Sequence, residues 1–216
     1  MEAGVKRENW DRFWSAKGTR RFTQKSWSKV RIMGVLDGVV RGGMDVLDAG
    51  CGSGFFSTYF LNKGCRVWAL DHSEASLEIA RKNTQGRCVA YLKEDLFRDD
   101  WVEAFRGKFD LIFSDGLFEH FAVADQKRLM DRFRMLKKEN GIVATFVPNC
   151  YSWWEVVRPL VMPGIQEVPF TSSRLKELHA GMRILKTGGL SVLPVRFSPE
   201  KFLGSRLGML LYCLAA

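Results

Sequence analysis

The chain has 216 residues, of which 46% are hydrophobic and 26% charged, a balance that suits one globular domain with a sizeable core and excludes a disordered, collagenous or coiled-coil chain. Its 33 Lys and Arg against 24 Asp and Glu leave a net charge of +9, which favours an acidic ligand, nucleic acid or an anionic surface without choosing among them. The cysteines Cys51, Cys65, Cys88, Cys150 and Cys213 form no C-x-x-C pair and follow no signal peptide, so a reduced, cytoplasmic protein is expected. The longest apolar run, Leu207 to Ala216, is half of the roughly 20 residues a membrane-crossing helix needs.

Taken in chain order, Trp10, Phe13 and Trp14 fall at helical spacing in a basic stretch that includes Arg12, Arg20 and Arg21. Trp27, Val30, Met33, Leu36 and Val40 predict an amphipathic helix stopped by Gly42-Gly43. From residue 44 short apolar runs alternate with helical patterns, the signature of a parallel sheet built from βαβ units. The strands read as Met44 to Asp48, Arg66 to Asp71, Cys88 to Leu92, Phe109 to Ser114 and Ile142 to Val147, closed by a pair at Leu190 to Phe197 and Leu207 to Leu214. Crossover helices are expected at Phe55 to Lys63, after the N-cap Ser73 through Asn83, and at Gln126 to Lys138 before an Asn140-Gly141 turn. Residues 1–43 thus read as an N-terminal helical segment that forms a lid over the ligand site, and 44–216 as one domain with an insert at about 150–187 expected to contribute to that site.

The most informative stretch is VLDAGCGSGFFS from Val46 to Ser57, where an apolar strand ends at Asp48 and passes through Gly50, Cys51, Gly52 and Gly54 into a helix. Such a tight turn lets a ligand touch backbone. A dinucleotide fingerprint needs its last glycine five positions after the first, and Phe55 stands there instead, which weakens an NAD reading. Asp71 closes the second strand where a carboxylate can accept from two ribose hydroxyls, and Asp95 follows the third strand, where it can accept from an exocyclic amine.

With VLDAGCGSG (46–54), VWALDHS (67–73), KEDLF (93–97), FDLIFSDGLFEHF (109–121) and NGIVATFVPN (140–149), the sequence resembles the class I S-adenosylmethionine-dependent methyltransferases, closest to the small-molecule type 11 group. The resemblance implies a Rossmann-like, doubly wound α/β fold with a seven-stranded sheet in the order 3-2-1-4-5-7-6, mostly parallel with one antiparallel strand at the C-terminus. It also implies that the Gly50 to Gly54 backbone packs on the methionine and ribose of the cofactor S-adenosylmethionine, that Asp48 supports the amino group, and that Asp71 holds the ribose. Asp95 with Leu96 would meet the adenine, His72 would take the place of the usual aliphatic residue beneath that ring, and Ser114 would offer its main-chain carbonyl to the methionine amine.

Methyl transfer needs alignment, a dry site and, for some acceptors, a base. His120, beside Glu119 beyond the fourth strand, is the candidate base; its other reading is a residue that merely begins a helix. His72, His120 and His179 show no metal-ligand spacing, so no metal is expected. Trp10, Trp14, Arg20, Arg21, Glu119, Asn149, Tyr151, Trp153 and Trp154 are the candidate acceptor pocket, suited to a small aromatic or anionic molecule. The alternatives are an RNA methyltransferase and a catalytically silent cofactor-binding protein.

Overall fold

The computed structural model describes residues 7–15, 23–161, 167–196 and 198–216. Helices α1 (Arg7–Ser15) and α2 (Trp27–Leu36) precede β1 (Asp45–Ala49), α3 (Phe55–Asn62), β2 (Arg66–Asp71), α4 (Glu74–Asn83), β3 (Ala90–Lys93), α5 (Asp99–Ala104) and β4 (Phe109–Asp115). A 3-10 turn (Phe118–His120), α6 (Val123–Leu136), β5 (Lys137–Pro148), α7 (Trp154–Val161), α8 (Ser172–Leu178), β6 (Ile184–Leu190), α9 (Glu200–Leu207) and β7 (Leu210–Ala215) follow.

The seven strands lie in the order β3-β2-β1-β4-β5-β7-β6, with every pairing parallel from β3 to β5 and antiparallel on both sides of β7. The order reverses between β1 and β4, which opens a crevice at their carboxyl ends where such sheets bind ligands. The central strands β1, β2 and β4 are almost wholly buried because both their faces are covered. Along β1, Val46 packs with Ile32, Phe56, Phe60 and Leu77 under α2, α3 and α4, whereas Leu47 faces Leu129, Met130, Phe133 and Leu136 of α6. Full burial of each such side chain contributes about 1.5–3 kcal/mol. Among the described residues no helix is long and apolar enough to cross a membrane.

Three sequence expectations need correction. β5 starts at Lys137, where the expected helix still ran, although its register with β4 jumps from Lys137 to Ile142 and the chain folds back on itself at Asn140-Gly141, a Cβ on Gly141 lying 3.0 Å from the Lys138 backbone. The strand expected at Leu190 to Phe197 instead spans Ile184–Leu190, so the insert ends earlier than residue 187. The cause is close packing, since a side chain on Gly189 would run into the Gly204 carbonyl of α9. The helix expected to run to Val40 ends at Leu36.

Candidate active site

The turn after β1 is held by two donors to one acceptor: the backbone N–H groups of Gly50 and Cys51 both reach the Leu70 carbonyl of β2, at 2.8 and 2.9 Å. Gly52 (φ 50°) and Gly54 (φ 71°) adopt the left-handed region that a side chain disfavours. They are also crowded. A Cβ at Gly54 would sit 2.9 Å from Ala80 of α4, and one at Gly52 would sit 2.7 Å from the Trp14 ring of α1. Gly54 therefore serves helix packing behind the turn, while Gly50, Cys51 and Gly52 line the crevice.

Asp71, buried at the end of β2, accepts from the Gly52 N–H at 3.0 Å through one oxygen and from the Ser73 N–H at 2.9 Å through the other. The loop and β2 are thereby locked together, with further lone pairs on each carboxylate oxygen facing the cavity. Ser73 also caps α4 and donates to Asp11 of α1 at 2.5 Å. Asp48 accepts from the Ser57 hydroxyl at 2.6 Å, and complete burial pushes its carboxyl up to about 7. Asp95 accepts from the Phe97 N–H, and His72 lies 3.6 Å from Asp71.

These residues enclose a cavity of about 640 Å³, within the range of sites that bury a small ligand. Leu96, Glu119, His120, Trp10, Trp14 and Trp154 line it. Ser114 does not: its side chain is buried in β4, and the next residues, Asp115 and Gly116, meet the cavity instead. Asn149 is spent on the carbonyls of Arg206 and Gly208, Trp153 donates to the Val192 carbonyl, and Tyr151 is 68% exposed, so none of the three lines it. Arg20 and Arg21 lie outside the described residues. His179, the third histidine, is a core residue between Thr145 and the Leu175 carbonyl, and burial lowers it to about 4.

Sequence reasoning missed Lys29, Asp115 and Glu167. Burial raises Asp115 to about 6, with Lys29 opposing, and burial lowers Lys29 to about 8 against the pull of Asp115. Glu119, at 3% exposure, is pushed well above the carboxylate range by burial and then by Glu167. Glu167 rises to about 7 through burial, opposed by Arg158. Glu119, His120 and Glu167 each place a potential ligand atom within 4.8 Å of the other two, a cluster that their spacing in the chain conceals and that the expectation of no metal-ligand grouping overlooked.

These raised carboxyls predict an unusual pH profile. Each holds a proton that the unfolded chain has already released, so the native state binds more protons and stability falls as pH rises toward the folded pKa. His179 acts oppositely, but chiefly below its unfolded value near 6.5. Between pH 6.5 and 7.5 the tail of His179 and the onset of Lys29 deprotonation oppose the acids only in part, so the urea midpoint should still fall. Asp48→Asn should reduce that slope; an unchanged slope would show that Asp48 is ionised at no cost.

The comparisons agree with this geometry. Residues 46–141 match the family described as a methyltransferase domain. The malonyl-[acyl-carrier protein] O-methyltransferase of Hamiltonella defensa subsp. Acyrthosiphon pisum (strain 5AT) is 34% identical over 98 residues, 45% of this chain and 35% of that protein. The ubiquinone biosynthesis O-methyltransferase of Pasteurella multocida (strain Pm70) is 34% identical over 110 residues, 47% of this chain and 45% of that protein. The match thus spans less than half the length of these curated relatives. A SAM-dependent methyltransferase from Anabaena variabilis ATCC 29413 superposes with a TM-score of 0.72 at 18% identity, covering 100% of this chain and 96% of that one, a likeness of fold. By its strand order, its glycine turn and this match, residues 46–141 are similar to a methyltransferase domain, set in the fold that the Anabaena structure shares.

Proposed function

We propose that the protein binds S-adenosylmethionine in the crevice beside β1 and transfers its methyl group to a small-molecule acceptor by in-line displacement. The observation that carries this reading is the left-handed glycine turn tied by its Gly52 N–H to the buried carboxylate of Asp71. A side chain at Gly50, Gly52 or Gly54 would be strained, and the residues present fit the cofactor: a bare backbone approach, a carboxylate for paired hydroxyls, and Asp95 with Leu96 for a flat amine-bearing ring. When bound, the cofactor supplies a methyl group made electrophilic by the adjoining sulfonium. The chain's part is to align, to exclude water and, where the acceptor needs it, to take a proton at His120. The named relatives act on malonyl-[acyl-carrier protein] and in ubiquinone biosynthesis, which supports acyl or small-molecule acceptors as a class.

The test is calorimetry with S-adenosylhomocysteine. Asp71→Ala should weaken binding by about 10- to 150-fold, the effect of losing charged hydrogen bonds of about 1.5–3 kcal/mol. Asp71→Asn, which keeps an acceptor for the Gly52 N–H, should fall between. Unchanged affinity in a folded Asp71→Ala protein, or preferential binding of NAD by the wild type, would falsify the cofactor assignment.

A further inference from the structure

The wall of the cavity beyond β4 carries an imbalance of charge that the cofactor reading does not use. The Val168 N–H donates to the Glu119 carbonyl at 2.7 Å, which pins the returning segment to the 3-10 turn and sets the carboxyl groups of Glu167 and Glu119 against each other. Arg158 lies 3.3 Å from Glu167 and 3.5 Å from Glu155, so one cation is shared between two acids. Lys29 faces Asp115. No Lys or Arg among the described residues pairs with Glu119, and its Oε2 is buried without a hydrogen-bond partner.

Ionising a buried carboxyl that accepts no hydrogen bond costs several kcal/mol, so by itself Glu119 keeps its proton. A ligand that brings both positive charge and N–H donors removes that cost. Aromatic rings suit the same ligand, because Trp10 and Trp154 line the cavity here and the faces of indoles attract cations. Resting on the cofactor reading above, we propose that the acceptor is an amine, seated as its ammonium between Glu119 and Glu167 and methylated on nitrogen. The anionic acceptor expected from the sequence drew on Arg20 and Arg21, whereas the described wall is acidic.

A divalent metal is the competing occupant of the same donors. Arg158, 3.3 Å from Glu167, already neutralises part of that acid's charge, which leaves the cluster short of the several anionic oxygens a divalent ion collects but sufficient for one ammonium. An ammonium also presents three donors, enough for the unpartnered oxygen of Glu119 and one of Glu167. For reaction, the ammonium gives one proton to His120. The freed nitrogen lone pair then forms the N–C bond as the methyl C–S bond breaks, and that bond pair stays on sulfur as a neutral thioether. The product leaves as the N-methylammonium ion, and His120 returns its proton to water.

The probes are two matched sets, phenethylamine with 3-phenylpropionate and 2-phenylethanol, and hexylamine with hexanoate and hexanol. Each is titrated into the full chain with and without S-adenosylhomocysteine. In at least one set the amine should bind tenfold or more tightly than its acid and alcohol, and Glu119→Gln should abolish the preference while leaving S-adenosylhomocysteine affinity within about threefold. Glu167→Gln replaces it if the first variant does not fold. Equal binding across both sets, tighter binding of the acids, or no amine binding at 10 mM overturns the amine site while leaving the cofactor reading standing. Manganese(II) bound by the wild type and lost in Glu119→Gln, with no amine preference, assigns the cluster to a metal and overturns it equally. Failure to bind S-adenosylhomocysteine at all is a separate result, which removes the cofactor reading and with it the basis of this one.

Discussion

Replacing His120 with alanine should lower methyl transfer by about 100- to 10,000-fold, the usual contribution of a positioned base, and leave S-adenosylhomocysteine affinity within about threefold. His120 closes the 3-10 turn after β4, is almost fully buried, and meets Trp10 edge-on with ring centroids 4.7 Å apart. Its ring nitrogen lies within 4.8 Å of carboxyl oxygens of Glu119 and Glu167, which places it beside the acceptor end of the cavity in the proposed reading. The variant also loses the aromatic contact with Trp10, worth about 0.5–1.5 kcal/mol. That is about tenfold at most, so a loss of a hundredfold or more exceeds what packing explains. Single-turnover transfer from radiolabelled cofactor, with an acceptor first identified by labelling a cell extract, measures the effect on the chemical step. His120→Gln keeps a polar side chain but cannot take the proton, and it should be as slow as the alanine variant. A drop under about threefold in either assigns His120 to structure.

The parts of this molecule that were legible in the sequence are those where local pattern and tertiary role coincide. Buried parallel strands must be apolar on both faces, so β1, β2 and β4 stand out as unbroken runs, and the glycine turn is written in consecutive residues. Gly188 and Gly189 hid β6 because they are poor strand formers; they are tolerated there because α9 packs backbone against backbone at Gly204. The Asn140-Gly141 signal was legible as the point where the β5 pairing with β4 is interrupted before it resumes at Ile142, whereas the short strand segment ahead of it at Lys137 was not. At the site, Asp48, Asp71 and Asp95 were legible because each lies at or just past the carboxyl end of a strand beside the crevice. Lys29, Asp115 and Glu167 were not, because they meet the cavity only through packing of α2, the extension of β4 by one residue, and the return of a segment whose partner is the backbone of Glu119. Asn149 shows the opposite error, a polar residue beside the site whose donors are consumed by the chain itself.

Deleting residues 1 to 22 should leave a folded protein that binds S-adenosylhomocysteine within about fivefold of the intact chain but has lost acceptor methylation by at least a hundredfold. Both apolar cores draw their buried residues from Ile32 onward, with none from α1, so the sheet and its covering helices keep their packing without it. Helix α2 also keeps its own cap, the Ser26 hydroxyl accepting from the Lys29 N–H. What α1 contributes lies at the mouth of the cavity: Trp14 over Gly52, Asp11 on the Ser73 cap, and Trp10 against His120. Removing Trp14 exposes the turn that would carry the cofactor, which accounts for a modest loss of affinity. Removing Trp10 opens the cavity beside His120 and, with His120 as the proposed base, admits water there, which would weaken every electrostatic contact and account for the large loss of turnover. Urea unfolding, calorimetry and single-turnover transfer on the truncated protein separate the outcomes. Transfer at the original rate would make the segment an appendage with no part in closing the site, and failure to fold would place its aromatic residues in the core.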